Sequence, residues 1–379
     1  MEEWRKGGKE EGKKGDKGDK GDKGEGIRNM IRYIFNKIFY GGLVLLGVVV
    51  LVFFLFQGFG DPSRLVLGQR ADQATQENIR RDLYLDQPKW KQFLGYLNDV
   101  SPIGLHTEEE IQRKNLKGIF LDLGSRELGM KRPYLRTSYQ SRREVGTIIA
   151  EALPGTLMLA VAAMLFATFA GISLGVLAAL KKGIWLDTTT ILTSILGISA
   201  PSFFMAIAIA YLFGFVWSRF TGLHMTGSWF DLDTESGKPY LSLANLILPA
   251  LTLGIRPLAI IAQLTRASLL DVLEQDFIRT ARAKGLSERK IIWKHGLRNA
   301  LNPVLTAITG WFAELLAGAF FVEYIFGWKG LGKLTVDALE KLDFPVVMGA
   351  VLVSAAFFVL VNILADLLYG WVDPRARIN

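Results

Sequence analysis

Six apolar runs separated by polar segments constrain the fold of this chain more than any other feature. A helix of about 20 apolar residues crosses the ~30 Å hydrocarbon core of a bilayer. The runs cover residues 38–56, 157–180, 191–217, 243–264, 301–324 and 346–368, and hydrophobic residues make up 50% of the chain. The sequence therefore predicts an all-α membrane protein with six transmembrane helices. Pro201, Pro249 and Pro257 lie inside the third and fourth runs and predict kinks there.

The polar segments divide the chain into four parts. Residues 1–26 hold eight basic and eight acidic residues in a glycine-punctuated repeat, a composition that predicts a disordered tail. Residues 27–57 contain the first predicted helix, which no Ala-x-Ala cleavage site follows. Residues 58–145 are hydrophilic and long enough for a small folded cap. Residues 146–379 contain the other five helices, and a long polar connection at residues 266–302 joins two of them.

Lys and Arg in the short connections predict the orientation of the chain, because such residues collect on the cytoplasmic side. Lys181 and Lys182 lie between the second and third helices, and Arg375 and Arg377 follow the sixth. The connection at residues 266–302 has eight basic residues against four acidic ones. All these segments lie on the side of the N-terminus, so both termini are predicted to be cytoplasmic. The net charge of +8 is thus better explained by membrane topology than by nucleic-acid binding.

Several kinds of chemistry find no support in the sequence. The chain has no cysteine, which excludes disulfides, thiolate metal sites and a cysteine nucleophile. Its three histidines are scattered without metal-ligand spacing, so no metal site is predicted. The Gly-x-x-x-x-Gly-Lys-Ser/Thr phosphate loop is missing as well, so the sequence predicts no phosphate loop for ATP in this chain.

The polar connection between the fourth and fifth helices has the pattern of two short helices. Leu270, Leu273, Phe277 and Ala281 recur at helical spacing and predict one buried face. Gly285 suits the left-handed residue that ends a helix. We interpret the connection as a helix–Gly–helix unit that docks on another protein. A basic amphipathic helix lying on anionic lipid fits these residues about equally well.

The second short helix of this connection has its own start signals. Ser287 is predicted to cap it, and Glu288 lies favourably near its positive end. Asn302 and Pro303 are predicted to be the cap and first turn of the fifth membrane helix.

Several motifs together resemble one transporter family. Residues 280–286 read Thr-Ala-Arg-Ala-Lys-Gly-Leu, and residues 294–303 read Lys-His-Gly-Leu-Arg-Asn-Ala-Leu-Asn-Pro. Further matching segments lie at residues 60–62, 67–69, 323–332, 343–347 and 373–375. Over residues 28–379 the chain resembles ABC transporter permeases of the dipeptide/oligopeptide/nickel importer branch. Arg279 stands where the wider family has a Glu, and the tail at 1–26 and an extended loop around residues 105–136 depart from the family pattern.

The resemblance implies a type I ABC importer permease fold with a long external loop after helix 1, in a bacterial inner membrane. It implies a second homologous permease subunit, two cytoplasmic ABC ATPase subunits that bind ATP and Mg, and an external substrate-binding protein. This chain itself would bind no cofactor. The cargo implied is a di- or oligopeptide, with nickel or another small solute as the alternative; a self-contained secondary transporter is a less favoured reading. The residues implied to couple to the ATPase are Arg279, Thr280, Ala281, Ala283, Lys284, Gly285, Leu286 and Ser287.

Two charged residues inside apolar runs are candidates for the translocation path. Glu314 lies in the fifth run and Arg256 in the fourth, beside Pro257. Charges inside membranes are costly and face a cavity or a partner. Glu314 could bind the amino end of a peptide and Arg256 its carboxylate; an ion pair or polar contact between helices is the alternative for both.

Overall fold

The computed structural model describes residues 32–33, 35–55, 86–232 and 239–372. The predicted tail at residues 1–26 and the motifs at 60–62, 67–69 and 373–375 lie outside the described residues. The described chain is mostly helical, but the prediction of an all-α protein was wrong in two polar connections, where short strands pair into two small antiparallel sheets.

Four of the described helices are long and apolar enough to cross a membrane. They are α1 (Phe35–Leu55), α4 (Val145–Leu180), α8 (Ala244–Leu273) and α14 (Phe344–Val372). A fifth span arises if α5 (Trp185–Ser199) is counted together with α6 (Ser202–Tyr211) and the π-helical turn Leu212–Val216 that continues it. The two parts meet at 110°, so Pro201 marks a sharp break rather than a kink. Helix α8 continues through Pro249 and Pro257.

The predicted fifth membrane helix differs from the others. Helix α11 (Arg298–Gly318) is followed at Ala319 by the short helix α12 (Phe320–Ile325). Polar residues such as Asn302 and Glu314 lower the mean hydropathy of α11. It is therefore not among the described helices that qualify as membrane spans by length and composition. The predicted total of six is therefore reached only if α11 is also counted.

A small α/β unit follows the first membrane helix. It contains α2 (Lys89–Val100), β1 (Ile103–His106), α3 (Glu108–Arg113), β2 (Gly118–Asp122) and β3 (Glu127–Lys131). The strands form an antiparallel sheet of order β1-β3-β2. A capping box begins α3, since the Thr107 hydroxyl accepts from the Glu110 amide and the Glu110 carboxylate accepts from the Thr107 amide.

The remaining elements are short. They are α7 (Ser218–Thr221), the hairpin β4 (Phe230–Leu232) and β5 (Pro239–Leu241), α9 (Asp276–Ala283), α10 (Glu288–Lys290), the π-helical turn Ile291–Leu297 and α13 (Leu331–Glu340).

The main core lies between α4 and α8, which pack closely because each supplies a glycine at the crossing. A Cβ on Gly175 would lie 2.6 Å from the Ala262 carbonyl oxygen, and a Cβ on Gly254 would lie 2.8 Å from the Ala163 carbonyl oxygen. Small residues at such contacts let helix backbones approach, which is how helices associate within a membrane. The buried side chains of this core include Leu159, Ile261, Val304, Phe326 and Trp328.

Candidate functional site

The connection between α8 and α11 is a helix–turn–helix unit bent at Gly285. This residue has φ +75°, and nothing lies within 4 Å of the position its Cβ would occupy. Its amide donates to the Arg282 carbonyl at 2.9 Å, and the next amide, of Leu286, donates to the Ala281 carbonyl at 3.3 Å. This pair of bonds defines a Schellman motif, which satisfies the free carbonyls at the end of α9. The predicted left-handed glycine is therefore present, and the backbone conformation rather than crowding selects it.

A small hydrophobic cluster holds the two short helices together. Ile278 and Ile291 are fully buried, and Ala281 is 7% exposed beside them. Leu273 and Leu286 pack against these three side chains. The predicted inner face was therefore wrong at one position, because Phe277 is 40% exposed and its neighbour Ile278 points inward instead.

Two predicted helix starts differ from the structure. Ser287 occupies the cap position of α10, but its side chain makes no capping hydrogen bond. Asn302 and Pro303 do not begin the fifth helix, because α11 starts at Arg298 as a continuation of the π-helical turn. The chain therefore runs from α10 to Gly318 without an intervening loop, which ties the bent unit directly to α11.

The outer surface of this unit is basic, with apolar side chains between the charges. Six of the eight residues predicted to couple to a partner are exposed: Arg279, Thr280, Ala283, Lys284, Gly285 and Ser287. Ala281 faces the internal cluster, so its methyl group is not offered to a partner. Phe277 and Trp293 are 40% and 58% exposed on the same unit. Arginine and exposed aromatic side chains are enriched at protein interfaces.

Polar contacts stabilise the bend of this unit and the part of α8 that leads into it. Across the bend, Arg282 Nε donates to Glu288 Oε1 at 2.9 Å, and both side chains are largely exposed. The Arg266 guanidinium of α8 forms two hydrogen bonds with the Asp187 carboxylate of α5, at 2.5 and 2.8 Å. The Gly183 amide donates to the same carboxylate at 3.0 Å. The part of α8 that leads into the bent unit is therefore joined to α5 by this ion pair.

The two predicted path residues lie on different helices, Arg256 on α8 and Glu314 on α11. Arg256 and Glu314 are both exposed in this chain, and among the described ion pairs none joins them. The Arg256 guanidinium instead lies 5.4 Å from the ring centroid of Trp311, one turn before Glu314 on α11. Within the described part of the chain, no group of three or more His, Asp or Glu side chains is arranged to hold a metal ion.

Comparison with known proteins identifies the family. Residues 171–378 match the binding-protein-dependent transport system inner membrane component, and residues 30–109 match the N-terminal membrane component of such systems. The dipeptide transport system permease protein DppB of Escherichia coli strain K12 is 37% identical over 370 residues, covering 92% of this chain and 99% of the relative. The chain belongs to the family of binding-protein-dependent transport system inner membrane components. The resemblance to ABC importer permeases is thereby confirmed.

Other relatives of this permease have related names. The glutathione transport system permease protein GsiC of Pectobacterium atrosepticum is 36% identical over 351 residues, covering 92% of this chain and 99% of the relative. A solved structure of the inward-facing MetNI methionine ABC transporter matches with a TM-score of 0.47 and 18% identity, over 60% of this chain and 97% of that chain. The family assignment does not rest on this last match. This permease is a multi-pass membrane subunit of an ABC importer.

A second site of this permease, which sequence reasoning missed, surrounds the buried carboxylate of Glu323 on α12. Its Oε1 accepts from the Thr156 hydroxyl of α4 at 2.7 Å. Its Oε2 accepts from the amides of Gly332 and Lys333, at 2.7 and 3.1 Å, in the first turn of α13. The carboxylate therefore neutralises the positive end of α13 and fastens that helix to α4.

The glycine-rich segment at residues 327–332 is part of the same site. Gly327 has φ +66°, and the Trp328 indole donates to the Gly155 carbonyl at 2.9 Å. The Leu331 amide donates to the Thr156 hydroxyl oxygen at 2.7 Å. The sequence signal that points to this site is Glu323 followed within ten residues by three glycines and a tryptophan. Its partners on α4 lie more than 160 positions away and could not be paired with it from the sequence.

Proposed function

We propose that this permease imports di- or oligopeptides, and that the unit bent at Gly285 transmits the force of ATP hydrolysis by partner subunits. The peptide cargo is supported by the names of its relatives, which are described as dipeptide, glutathione and D,D-dipeptide permeases. In the proposed assembly, a second homologous permease completes the path, two cytoplasmic ATPase subunits bind ATP and Mg, and an external binding protein delivers the solute.

The observation that carries the coupling role is the rigid attachment of the bent unit. It joins α8 at one end, passes into α11 without a loop at the other, and is filled by its own hydrophobic cluster. Such a unit moves with the helices that hold it, whereas a flexible loop would absorb the displacement. In this proposal α11 crosses the membrane as the fifth of six spans, and both termini face the cytoplasm together with the bent unit.

The exposed surface supports docking on protein over docking on lipid. Glu288 and Asp276 are exposed among the cations and each pairs with an arginine of the unit, which weakens the attraction of the unit to an anionic bilayer. The exposed side chains of Phe277 and Trp293 would instead fill pockets on an ATPase subunit.

Replacement of Gly285 tests the coupling role. A leucine at φ +75° costs about 1–2 kcal/mol of conformational strain, although the space around Gly285 is open. Gly285→Leu should therefore reduce ATP-driven peptide uptake by roughly tenfold in proteoliposomes that hold all subunits. Gly285→Asn is the matched control, since asparagine tolerates this conformation, and it should keep most of the uptake. Equal membrane levels of both variants would show that insertion is intact.

Three outcomes would contradict the proposal. Wild-type uptake together with wild-type ATPase co-purification in Gly285→Leu would remove the coupling role. Uptake by the isolated chain without ATPase subunits would identify a secondary transporter. Uptake of nickel but of no peptide, by the complete complex, would assign the permease to the other branch of the family.

A further inference from the structure

The sheet of the external α/β unit has an exposed face made entirely of aliphatic side chains. Two cross-strand rows run over β1, β3 and β2, one of Ile103, Met130 and Ile119, the other of Leu105, Leu128 and Leu121. These six side chains are between 38% and 73% exposed in this chain. No charged or hydroxyl-bearing residue interrupts either row.

The opposite face of the same sheet holds the polar groups. His106 is fully buried and Lys131 is 4% exposed, on the side away from the aliphatic rows. Lys131 Nζ donates to the Asp99 carbonyl oxygen at 2.6 Å, and the Asp99 carboxylate pairs with Lys114 at 2.6 Å. An antiparallel sheet with one solvated face normally places its apolar residues inward and its polar residues outward. Here the arrangement is reversed, which indicates that the aliphatic face is covered in the assembled protein.

The size of this face fits a stable protein contact. At on the order of 100 Å² per side chain, the six residues expose roughly 600 Å², as large as the largest apolar patch of an ordinary monomer. A standard interface takes about 800 Å² from each partner, so the two rows would supply most of one side.

We propose that the second permease subunit of the transporter covers this aliphatic face on the external side. This inference rests on the proposed function, which supplies that subunit. Permanent interfaces resemble a protein core cut in half, whereas an external binding protein must stay soluble alone and bind reversibly through a more polar surface. The lipid hydrocarbon is a poor cover, because β2 is an outer strand of this sheet and its outward backbone groups would find no partner there. On the other outer strand, β1, the Asn98 side chain bonds the amide and the carbonyl of Leu105.

Cysteine labelling tests the inference directly, because the natural chain has no cysteine. Met130→Cys places a thiol in the middle of the first row, and Glu109→Cys on the exposed side of α3 is the matched control. Maleimide labelling of each variant is followed for the chain alone, the chain in lipid nanodiscs, the pair of permeases, and the complete transporter with its binding protein. We expect Met130→Cys to react at least tenfold more slowly in the pair than in the chain alone, and Glu109→Cys to react equally in both.

Each other outcome overturns the inference in a distinguishable way. Unchanged labelling of Met130→Cys in a transporter that moves peptide with ATP would leave the proposed function intact and remove this interface. Protection already in nanodiscs of the chain alone would assign the face to lipid, and protection only after the binding protein is added would assign it to that protein. A chain that forms no pair and no ATP-driven transporter would defeat the proposed function itself.

A charged residue placed on the exposed aliphatic face gives a second test. Leu121 is 66% exposed, so Leu121→Glu should leave the chain folded in detergent while it places a charge against the partner. We expect the recovered amount of permease pair to fall at least tenfold, with Glu109→Arg at the wild-type level. Recovery of the pair at the wild-type level with Leu121→Glu would contradict the inference.

Discussion

The Thr156 hydroxyl of α4 donates a 2.7 Å hydrogen bond to Oε1 of Glu323 on α12, and both side chains are buried. The same Thr156 oxygen accepts from the Leu331 amide at 2.7 Å, while the other oxygen of Glu323 accepts from the next two amides. Two side chains thus satisfy three free amides in the first turn of α13. This relationship fixes the position of α13 relative to the membrane helix α4.

We predict that Glu323→Ala destabilises the permease by about 3 kcal/mol, because it leaves two amides and a hydroxyl buried without an acceptor. Glu323→Gln keeps one acceptor oxygen and should cost about 1 kcal/mol. Thermal unfolding in detergent measures both. Glu340→Ala is the control, since Glu340 is exposed and accepts a hydrogen bond from the exposed Tyr324 hydroxyl at 2.7 Å. Equal melting temperatures for Glu323→Ala and Glu340→Ala would contradict this role of Glu323.

Two glycines of α4 provide a matched test of the neighbouring contact. A Cβ on Gly155 would lie 1.9 Å from the Lys329 carbonyl oxygen, a backbone atom that cannot turn aside. We predict that Gly155→Ala costs about 3 kcal/mol through overpacking. Gly146 lies on the same helix with nothing within 4 Å, so Gly146→Ala should be neutral or should stabilise by up to about 1 kcal/mol. The melting temperatures of the two variants test this difference. An unchanged melting temperature in Gly155→Ala would show that α4 and residue 329 separate easily.

The sequence predicts the local features of this protein better than its long-range contacts. The bend at Gly285 follows from a glycine between two helical patterns, and the apolar lengths of α1, α4, α8 and α14 follow from hydropathy. The inner face of α9 was mispredicted because Phe277 and Ile278 are adjacent and both apolar, and only the packing of Ile291 decides between them.

The contacts that hold the second site together could not be predicted from the sequence. Thr156 and Glu323 are 167 positions apart, and Asp187 and Arg266 are 79 apart. No local spacing rule pairs such residues, since the crossing of helices brings them together. Pro303 was misplaced for a related reason: its usual position in a first helical turn is overridden by the π-helical turn that feeds directly into α11.

The Asp187–Arg266 pair predicts a strongly non-additive pair of mutations. The Asp187 side chain is 6% exposed and the Arg266 side chain 22% exposed, so removal of one partner leaves the other poorly solvated. We expect Asp187→Ala and Arg266→Ala each to lower the melting temperature by about 5 °C, and the double variant to lower it by no more than either single one. The exposed pair Lys182–Glu274, at 4.0 Å, is the control and should show small, additive effects. Additive losses at Asp187 and Arg266 would contradict the coupling.

Burial of Lys131 predicts that the stability of the α/β unit after the first membrane helix rises at alkaline pH. Burial lowers the pKa of Lys131 to about 8, against the pull of the Asp99 carboxylate in the other direction. The unfolded chain keeps this proton up to a pKa of about 10.4, so it binds more protons than the folded chain between pH 8 and pH 10. Stability must therefore rise with pH across that interval, by about 1–3 kcal/mol. Above pH 10 the trend reverses, because burial raises the pKa of Tyr96 to about 12 and the unfolded tyrosine then loses its proton first.

Lys131→Met isolates this effect, because it removes the titrating group and keeps a side chain of similar length. Protease sensitivity of the β1–β3 region, measured in graded urea at pH 7.5 and pH 9.5, should fall with pH in the wild-type chain. We expect the pH dependence to be lost in Lys131→Met, and the variant to be the more stable of the two at pH 7.5, where the wild-type chain holds a buried ammonium group. A wild-type chain whose protection is the same at both pH values would show that Lys131 keeps an ordinary pKa and that its ammonium is fully compensated by the Asp99 carboxylate and carbonyl.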